Sequence, residues 1–588
     1  MGRRDPTGGP GTACRDSEAA VYADRARRLG LPFAPTVHLG AGALADLAAI
    51  RRGAFALSPE GDRLAFAAPD EDAMPAVRGW LHCHPEVRFR LRVSTPAAIR
   101  AALIEAGSEQ FADDAVHHLA ILHPDLSARR IATAAQIAVA LVVAAAVVLA
   151  LAADPAAALV ALNLVGAAFF FGVSVLRFIA AGFTGAAPGP IASPPSRVSD
   201  AELPIYTVLV PLYHEASVVA DLVAALDKLD WPGDRLDIKI ILEADDTATI
   251  AAARAACGDR QYEIILVPPI GPRTKPKALS FALTFARGAF VTVYDAEDRP
   301  HPAQLREAFA AFGRAGDDLA CLQSALVVDN GGDGWLARLF AIEYAALFDG
   351  LLPALAALGM PLPLGGTSNH FRRAALDAVG GWDPFNVTED ADLGLRLARL
   401  GYRAGTLALP TLEEAPAAFR PWLYQRTRWF KGWMQTWLVH SRHPVRLARQ
   451  LGPGGLLGFG LVCTGVIVSA LVYPLCLLAL VTYAMDPFDL WGSDSVLSSM
   501  VLGVNLFNLV AGYIAMAVLG GRSLDVRGRA GEASGLMLLP FYWMLTSLAA
   551  YRAILHLVLR PFDWEKTPHS RRPKAGPDVG AGASGPSG

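Results

Sequence analysis

Two acidic side chains stand one residue apart in AFVTVYDAEDRP, where Asp295 and Glu297 follow an apolar run. Side chains of an extended chain alternate between its two faces, so both carboxylates could face one hard cation. Mg²⁺ is commonly bound by one or two carboxylates together with substrate phosphates. Lys275 and Lys277, in RTKPKALSFAL, precede a predicted helix and would suit a diphosphate. Each motif alone is also typical of a solvated loop, but together they indicate a metal and phosphate site.

Cations and aromatic rings are crowded together in YQRTRWFKGWMQTW, which begins at Tyr424 and ends at Trp437. The chain becomes almost purely apolar soon afterwards, so this stretch is expected at the edge of a membrane. One interpretation is an aromatic belt whose cations snorkel to the lipid headgroups. That interpretation is preferred for Arg426, Lys431, Trp433 and Trp437.

Strand and helix signals alternate from about residue 200 to residue 440. The runs IYTVLVPLY, DIKIILEADD, YEIILVPP and AFVTVYDAED predict strands, and helical spacing appears between them, as in SVVADLVAALDKL. Such alternation predicts a mostly parallel sheet that is covered by helices on both faces. Ligands of such sheets bind beyond the carboxyl ends of the strands. Polar residues cluster at those ends, namely His214, Glu215, Asp245, Asp246, Asp295, Glu297 and Asp298.

Hydrophobic residues make up 53% of the 588 residues and charged residues only 18%, so part of the chain is expected in lipid. Four windows, 131–153, 156–175, 455–485 and 496–519, are apolar enough to span a bilayer. They predict transmembrane hairpins at 129–182 and 453–521. The formal net charge of −3 gives no indication of nucleic-acid binding. Six scattered cysteines without a CxxC pair favour neither a zinc site nor a disulfide framework.

Loop charges orient these spans, because Lys and Arg concentrate on the cytoplasmic side. Arg129 and Arg130 precede the first span, whereas the loop DPFDLWGSD after the third span is acidic. Both termini and the domain between the hairpins are therefore predicted to be cytoplasmic, in a multi-pass protein of a bacterial inner membrane. The segment 535–560 is also apolar, but basic residues flank both of its ends. An interfacial helix is therefore preferred there over a fifth span.

The ordered series PLYHE, EADD, KPKAL, YDAED, TSNHFRR, VTEDADLGLRL and QRTRW resembles the inverting family 2 glycosyltransferases. It is most similar to the membrane-embedded, processive branch that includes bacterial cellulose synthase and related exopolysaccharide synthases. The resemblance covers residues of about 200 to 440 with the flanking spans. It implies a GT-A-like, Rossmann-type α/β fold, a nucleotide-sugar donor of UDP type, and Mg²⁺ or Mn²⁺ as cofactor.

The resemblance also assigns residues to the site. Donor binding is carried over to Pro211, Glu215, Asp245, Asp246, Lys277 and Asp295. Asp295 and Glu297 occupy the metal motif, where Glu297 departs from the usual Asp and its extra methylene alters the reach to the ion. Asp390 matches the base that would take the proton of the acceptor hydroxyl, with Glu389 beside it.

Four further residues are assigned to the acceptor and the diphosphate. Gln425, Arg428 and Trp429 match the Gln-x-x-Arg-Trp motif of the processive branch, and Thr388 lies just before the base. A sugar ring can stack on the indole, while the guanidinium suits a diphosphate or sugar oxygen.

Residues 561–570 stand where the cellulose synthases carry a gating loop that closes over the donor. Trp564, Lys566 and Thr567 would supply a stacking face, a charge and a hydroxyl. The alternative for this segment is a juxtamembrane anchor. Residues 1–20 and the Gly- and Pro-rich residues 571–588 are predicted to be disordered tails.

Residues 21–128 predict a separate α/β domain that resembles the amino-terminal domain of type II secretion ATPases. ADRARRLGLPFAP, GAFALSPEGDRLAFAAPDEDA and VRFRLRVSTPAAIRAALIEAG carry this resemblance. Some such domains bind cyclic di-GMP, but the motif they use is only partly present here, around Arg28, Leu29 and Gly30. The alternative is a docking module for another protein.

The predicted function is inverting transfer of a sugar from a nucleotide-sugar to a growing polysaccharide. One alternative is transfer of a single sugar to a lipid carrier or glycolipid. Four spans are few for a self-sufficient channel, which keeps that alternative open. Another alternative is an inactive, signal-sensing membrane scaffold, which the intact Asp390 disfavours. The expected partners are the donor, a polysaccharide or glycolipid acceptor and the lipid bilayer.

Overall fold

The amino-terminal unit is a small α/β arrangement. In the computed structural model the described residues are 12–37, 65–69, 71, 73–185, 199–258, 260, 262–485 and 496–562. The elements of this unit are α1 (Thr12–Leu29), β1 (Ala65–Ala67), α2 (Met74–Cys83), β2 (Leu91–Val93) and α3 (Pro96–Leu122). Strands β1 and β2 pair in parallel. Helix α1 begins at Thr12, which differs from the prediction of a disordered tail up to residue 20.

The first membrane hairpin consists of α4 (Ala134–Ala153) and α5 (Pro155–Phe183). Asp154 separates the two helices and caps the second, because its side chain accepts a hydrogen bond from the backbone N–H of Ala157. No residue of α4 is buried within the protein. This helix is long and apolar enough to cross a membrane, and its exposed apolar surface suits a lipid environment.

An eight-stranded sheet forms the centre of the domain between the two hairpins, with spatial order β5-β4-β3-β6-β9-β8-β10-β7. Its strands are β3 (Tyr206–Leu212), β4 (Leu236–Glu243), β5 (Glu263–Val267), β6 (Phe290–Val293), β7 (Arg299–Pro300), β8 (Leu319–Val328), β9 (Asn369–Arg372) and β10 (Arg403–Glu413). Only β9 and β7 run antiparallel to their neighbours. The sheet is therefore mostly parallel, which is a GT-A-like α/β architecture and confirms the predicted fold class.

Helices cover both faces of this sheet, which is why β3 and β4 are almost continuously buried. The helices of this domain are α6 (Val219–Leu226), α7 (Thr247–Cys257), α8 (Lys275–Phe285), α9 (Gln304–Arg314), α10 (Trp335–Ala345), α11 (Leu352–Ala357), α12 (Arg373–Ala378), α13 (Glu389–Arg399) and α14 (Phe419–His440), of which α14 packs on other helices. A π-helical turn, Ala346–Leu351, joins α10 to α11.

The amino-terminal unit packs on the sheet domain through α3 and α8. Phe111 of α3 meets Phe285 of α8 edge-to-face, with 5.2 Å between the ring centroids. The connecting segment is tied to the same domain, because the backbone N–H of Ala128 donates to the buried carboxylate of Asp383 at 2.5 Å. Helix α8 begins at Lys275, so this interface lies on an element that reaches the candidate site.

Four more helices complete the chain, namely α15 (Pro444–Phe459), α16 (Gly465–Met485), α17 (Val496–Val526) and α18 (Leu539–Leu559). Helix α15 is kinked at Gly452, whose φ of 64° is readily accessible to glycine. Within the described residues, six helical segments are long and apolar enough to cross a membrane, compared with the four predicted spans. One of them, Trp335–Ala357, belongs to the protein core, because 72% of its apolar window is buried.

Helices α14 and α18 lie side by side and run in the same direction. The indole N–H of Trp422 donates to the Tyr542 hydroxyl at 3.2 Å near their beginnings. Near their ends, the amide of Gln435 donates to the Pro561 carbonyl at 2.9 Å. The orientation of α18 relative to the bilayer is therefore tied to that of α14.

Candidate active site

One cavity of about 480 Å³ opens at the carboxyl ends of the central strands and continues between the membrane helices. It is lined by most of the residues that the sequence analysis assigned to the site, namely Pro211, Glu215, Asp295, Glu297, Thr388, Glu389, Asp390, Gln425, Arg428 and Trp429. The predicted gating residues Trp564, Lys566 and Thr567 lie outside the described residues.

The acidic turn after β6 positions its three carboxylates differently. Asp298 is buried and acts as a brace, because it accepts hydrogen bonds from the backbone N–H of Asp295 and from the Thr367 hydroxyl. Its second oxygen, Oδ1, is buried without a hydrogen-bond partner. Asp295 and Glu297 line the cavity itself. Burial and the charge of Asp295 together raise the pKa of Glu297 to about 7, so this site favours an added positive charge.

The two lysines that begin helix α8 have different surroundings. Lys275 lines the cavity, forms an ion pair with Asp295 and donates to the Gly366 carbonyl at 2.7 Å. Burial tends to lower the pKa of Lys275, but the charges of Asp295, Glu389 and Asp390 raise it above its ordinary value. Lys277 is fully buried and contacts Glu243 at 2.9 Å, which differs from the prediction that it approaches a diphosphate. Of these two lysines, therefore, only Lys275 can contact a ligand in the cavity.

Asp246 shapes a loop. Its carboxylate accepts hydrogen bonds from the backbone N–H groups of His214 and Thr249, at 2.5 and 3.2 Å. His214 has a φ of 53°, a left-handed conformation that this hydrogen bond helps to hold. The neighbouring Asp245 pairs with Arg273 at 2.8 Å, and Arg273 lines the cavity. Asp246 therefore holds the loop that presents Glu215. It does not line the cavity, whereas the sequence analysis predicted a direct contact between Asp246 and the donor.

The candidate base lies at the first turn of α13. The Asp390 carboxylate accepts a hydrogen bond from the backbone N–H of Ala391 at 2.7 Å. Burial raises the pKa of Asp390 to about 6 and that of the adjacent Glu389 to about 8. Asp390 therefore holds a proton less tightly than Glu389 does, which suits it better to act as a base near neutral pH.

Helix α14 fixes the loop that precedes the base. The Gln435 side chain accepts a hydrogen bond from the backbone N–H of Val387 at 3.1 Å, and Asn386 donates to Thr436 at 3.0 Å. A Cβ on Gly432 would lie 2.3 Å from the Thr388 hydroxyl oxygen, so only glycine permits this close approach. Of these residues only Thr388 was predicted from the sequence, and the supporting Asn386, Gly432, Gln435 and Thr436 were not.

The same helix presents the Gln-x-x-Arg-Trp residues to the cavity. The Gln425 carbonyl oxygen is buried without a hydrogen-bond partner. Burial lowers the pKa of Arg428, and the charges of Glu389, Asp295 and Asp390 oppose that effect, so its guanidinium lies among the site carboxylates. The Trp429 ring is stacked against Tyr344 at an interplanar angle of 26°, with 6.2 Å between the centroids. The three side chains thus combine a hydrogen-bonding group, a cation and an indole in one wall.

Two cations of the segment from Tyr424 to Trp437 do not snorkel to the headgroups, which differs from the prediction. Arg426 is 5% exposed, forms an ion pair with Glu343 and lies 4.5 Å from the Trp429 ring centroid. Lys431 is 2% exposed and donates to the Arg560 carbonyl at 3.3 Å. Both cations are therefore bound within the protein and do not reach the headgroups.

The cavity also contains residues that sequence motifs did not indicate. Arg177, Glu343, Tyr542 and Trp543 line its membrane-facing part. The only sequence signal for any of them was the charge of Arg177 inside the apolar run SVLRFIA. Glu343 and Tyr542 lie in segments whose sequence predicts an amphipathic or apolar helix and does not indicate a functional site.

Comparisons with known proteins agree with this geometry. Residues 290–488 match the model of glycosyl transferase family group 2. A beta-monoglucosyldiacylglycerol synthase of Synechocystis sp. is 30% identical over 264 residues, which cover 43% of this chain and 53% of that protein. A probable glucomannan 4-beta-mannosyltransferase of Arabidopsis thaliana is 25% identical over 237 residues, which cover 39% of this chain and 43% of that protein. The matched region thus spans only about half the length of these relatives.

A solved structure is also similar in part. A mannosyltransferase from Pyrobaculum calidifontis, in complex with GDP-Man and Mn²⁺, superposes with a TM-score of 0.39 at 18% identity. The alignment covers 68% of this chain and 99% of that one. The fold assignment rests on the strand order and directions of the sheet itself, and the similarity to family 2 glycosyltransferases rests on the sequence match. Residues 290–488 are thus similar to the family 2 glycosyltransferases.

Proposed function

We propose that the protein transfers a sugar from a nucleotide-sugar, with inversion, to a hydroxyl of an acceptor that is held in the membrane. One observation carries this proposal. The candidate base Asp390, the Lys275–Asp295 pair and Arg428 line a single cavity that continues between α5, α16, α17 and α18. A cytoplasmic donor and a membrane-held acceptor could therefore meet at the base.

The donor would occupy the part of the cavity near β3 and β4. Pro211, Glu215 and Arg273 line this part and would contact the nucleoside. Lys275 and Arg428 supply two cations for the diphosphate, and guanidinium and ammonium groups both bind phosphate oxygens well. These contacts would orient the bond between the sugar and the diphosphate toward Asp390.

The residues present fit a divalent cation. Asp295 and Glu297 line the cavity, and the pKa of Glu297 is raised to about 7 by burial and by Asp295, so added positive charge is favourable there. Among the described residues no cluster of three or more acidic, His or Cys side chains is arranged around a metal position. Asp295 and Glu297 would therefore hold Mg²⁺ or Mn²⁺ together with the diphosphate oxygens. When bound, the ion would neutralise charge on the departing nucleoside diphosphate.

Asp390 would take the proton of the acceptor hydroxyl as that oxygen attacks the anomeric carbon. The new glycosidic bond forms on the face opposite the diphosphate, and the carbon–oxygen bond to the diphosphate breaks. Lys275 and Arg428 would stabilise the charge that develops on the leaving group. The proton ends on Asp390 and the electron pair on the nucleoside diphosphate.

A membrane-held acceptor is favoured by how far the cavity extends. Its described lining includes Phe170 and Arg177 of α5 but no residue nearer the amino terminus of that helix. On α16 the described lining ends at Tyr473. The cavity thus enters the cytoplasmic half of the helices without lining their outer ends, which suits an acceptor that comes from the inner leaflet.

A growing polysaccharide is the second candidate acceptor. Gln425, Arg428 and Trp429 keep the motif that resembles the processive branch, and Trp433 and Trp543 add aromatic surface to the same cavity. Indole faces bind sugar rings. Elongation would require the cavity to open further across the membrane than it does in this conformation.

Incubation of the purified full-length protein with a panel of nucleotide-sugars, Mn²⁺ and inner-membrane lipid extract tests the proposal. We expect nucleotide release together with a labelled lipid that carries one or a few sugars. A long polymer would favour the second candidate. Asp390→Asn should abolish transfer and retain donor binding, whereas Asp295→Ala should lose both the metal dependence and the activity. Wild-type turnover in Asp390→Asn would contradict the mechanism.

A further inference from the structure

The membrane-facing half of the cavity has a composition of its own. It is lined by apolar residues of four helices, namely Phe170, Val173, Val462, Val466, Met516 and Leu539. Two arginines and one carboxylate, Arg177, Arg426 and Glu343, line the same half. We refer to this half as the lipid-side zone. Its apolar walls would accommodate acyl chains or a prenyl chain, and its charges determine which headgroup can enter.

Arg426 already has its counter-charge. Its guanidinium forms an ion pair with Glu343 and donates to the Tyr542 hydroxyl at 2.9 Å. The Tyr542 hydroxyl in turn donates to Glu343 at 2.9 Å. The carboxylate of Glu343 is thus engaged by a cation and a hydroxyl at once, which makes this cluster a satisfied buried network.

Arg177 has no such partner. Among the described residues, no hydrogen bond or ion pair within 4 Å involves its side chain, and its guanidinium carbon lies 5.9 Å from the Trp543 ring centroid. Glu343 is the carboxylate whose charge acts on it, and that carboxylate is paired with Arg426. Two guanidinium groups therefore share one carboxylate, which leaves one positive charge in the lipid-side zone. Arg177 is partly buried, and a cation in an apolar zone without a counter-charge of its own favours an anionic ligand there.

The position of Arg177 along α5 indicates the source of that anion. It lies six residues before the end of the helix at Phe183, which is about 9 Å along the axis from the cytoplasmic end. This depth corresponds to the headgroup region of the inner leaflet. The donor diphosphate has its own cations, Lys275 and Arg428, in the catalytic half of the cavity.

The presence of the candidate base Asp390 indicates which group of the acceptor reacts with the sugar. A phosphate oxygen is already an anion at neutral pH and needs no base, whereas a hydroxyl must lose a proton as it attacks. Asp390 lines the same cavity, so the reacting group is expected to be a hydroxyl. The phosphate bound at Arg177 would then be a binding group and not the nucleophile.

We infer that the acceptor is a phosphate-bearing lipid, with its phosphate paired to Arg177 and a hydroxyl beyond the phosphate directed to Asp390. This inference rests on the proposed function. The hydroxyl oxygen forms the new bond to the anomeric carbon, its proton passes to Asp390, and the nucleoside diphosphate leaves with the electron pair. The phosphate of the lipid is unchanged by the reaction. Arg177 is thus a residue that selects the acceptor.

Two lipids that differ in the phosphate test this assignment. Phosphatidylglycerol carries a phosphate and free hydroxyls, whereas diacylglycerol carries a hydroxyl and no phosphate. Each would be supplied in mixed micelles to the purified full-length protein with a nucleotide-sugar that supports turnover. Sugar transfer and nucleotide release would be measured for the wild type, Arg177→Gln and Arg177→Lys. Arg130→Gln removes an exposed cation before α4 and controls for general attraction to anionic micelles.

The wild type should use phosphatidylglycerol with a KM at least tenfold below that for diacylglycerol. Arg177→Gln should raise the KM for phosphatidylglycerol about tenfold, leave that for diacylglycerol unchanged and leave the donor KM unchanged. Arg177→Lys should retain most of the preference, and Arg130→Gln all of it. A rise in the donor KM would instead show that Arg177 binds the donor diphosphate and would overturn the inference.

Equal use of both lipids by the wild type, or an unchanged preference in Arg177→Gln, would also overturn the inference while the proposed function stands. Transfer to neither lipid, with nucleotide still released from the donor, would overturn only the choice of acceptor. If no nucleotide-sugar bound or released nucleotide, the proposed function would fail as well.

Discussion

Lys275 and Lys277 are two residues apart, yet they are expected to respond differently to substitution. Lys275→Met removes a cation from the cavity and should lower turnover at least tenfold, which corresponds to about 1.4 kcal/mol in the barrier. Lys277→Met leaves Glu243 buried without its partner and should destabilise the protein by about 3 kcal/mol. Steady-state kinetics and thermal unfolding of both variants separate the two roles. A normal melting temperature in Lys277→Met would contradict its structural assignment.

The pH dependence of transfer should report on Asp390. Burial raises its pKa to about 6, above its ordinary value, and only the deprotonated carboxylate can accept the hydroxyl proton. Activity is therefore fully present above that pKa, and kcat/KM should fall about tenfold for each pH unit below it. Donor binding measured over the same range is the control, because the nearby Glu297 has its pKa raised to about 7. A flat profile of kcat/KM down to pH 5, or donor binding that falls in parallel with it, would show that the fall in activity at low pH does not come from Asp390.

Residues of the site differ in how well the sequence could predict them. Asp390 and Arg428 lie in short strings whose residue types and order are characteristic, and the structure places both in the cavity. The resemblance assigned Lys277 to the donor, whereas the observed start of α8 at Lys275 turns the Lys277 side chain into the core. Arg177 and Tyr542 come together only through packing of helices distant in sequence, for which no local pattern exists.

At the scale of elements, α18 takes its orientation from α14. The two helices remain in contact from Trp422 and Tyr542 at one end to Gln435 and Pro561 at the other. Helix α14 presents Gln425, Arg428 and Trp429 to the cavity at the carboxyl ends of the central strands, so we expect it to lie along the membrane surface and not to pass through lipid. We therefore propose that α18 also lies along the interface, although its composition alone would allow a span.

A reporter fused to the carboxyl terminus measures this orientation. With α18 along the interface, an alkaline phosphatase fusion should be inactive and a fluorescent protein fusion should fluoresce. The matched control is a fusion after Met485 at the end of α16, which should give the opposite pattern. Phosphatase activity from the terminal fusion would show that α18 crosses the bilayer.

Short apolar runs predicted the strands β3 to β6, and long uniformly apolar windows predicted the helices of both hairpins, because a strand of a covered sheet and a helix in lipid are apolar on all sides. The core helix 335–357 was not among the predicted spans, although its composition would allow one, since burial in protein and in lipid select the same apolar residues. The antiparallel strand β9 lacks a long apolar run and is defined by its neighbours β6 and β8.

At the scale of the whole molecule, the amino-terminal unit is held on the catalytic domain by α3. Phe111→Ala would remove the ring that meets Phe285, and loss of a buried Phe costs on the order of 3 kcal/mol. We expect a lower melting temperature and faster proteolysis in the segment around Ala128. Phe89→Ala is the matched control, because Phe89 is 83% exposed and its loss should change neither. Equal protease resistance in both variants would contradict a docked arrangement.

The α3–α8 contact also has a consequence for biosynthesis. Phe111 leaves the ribosome before Phe285, and the first membrane hairpin lies between them in sequence. With roughly 170 residues still to be made at about 5–20 residues per second, the apolar face of α3 waits for about ten to thirty seconds without its partner. During that interval the nascent hairpin is due for insertion into the bilayer. A chaperone or the membrane surface would have to shield α3 until the catalytic domain emerges, so synthesis rate and insertion are coupled to correct assembly of the enzyme.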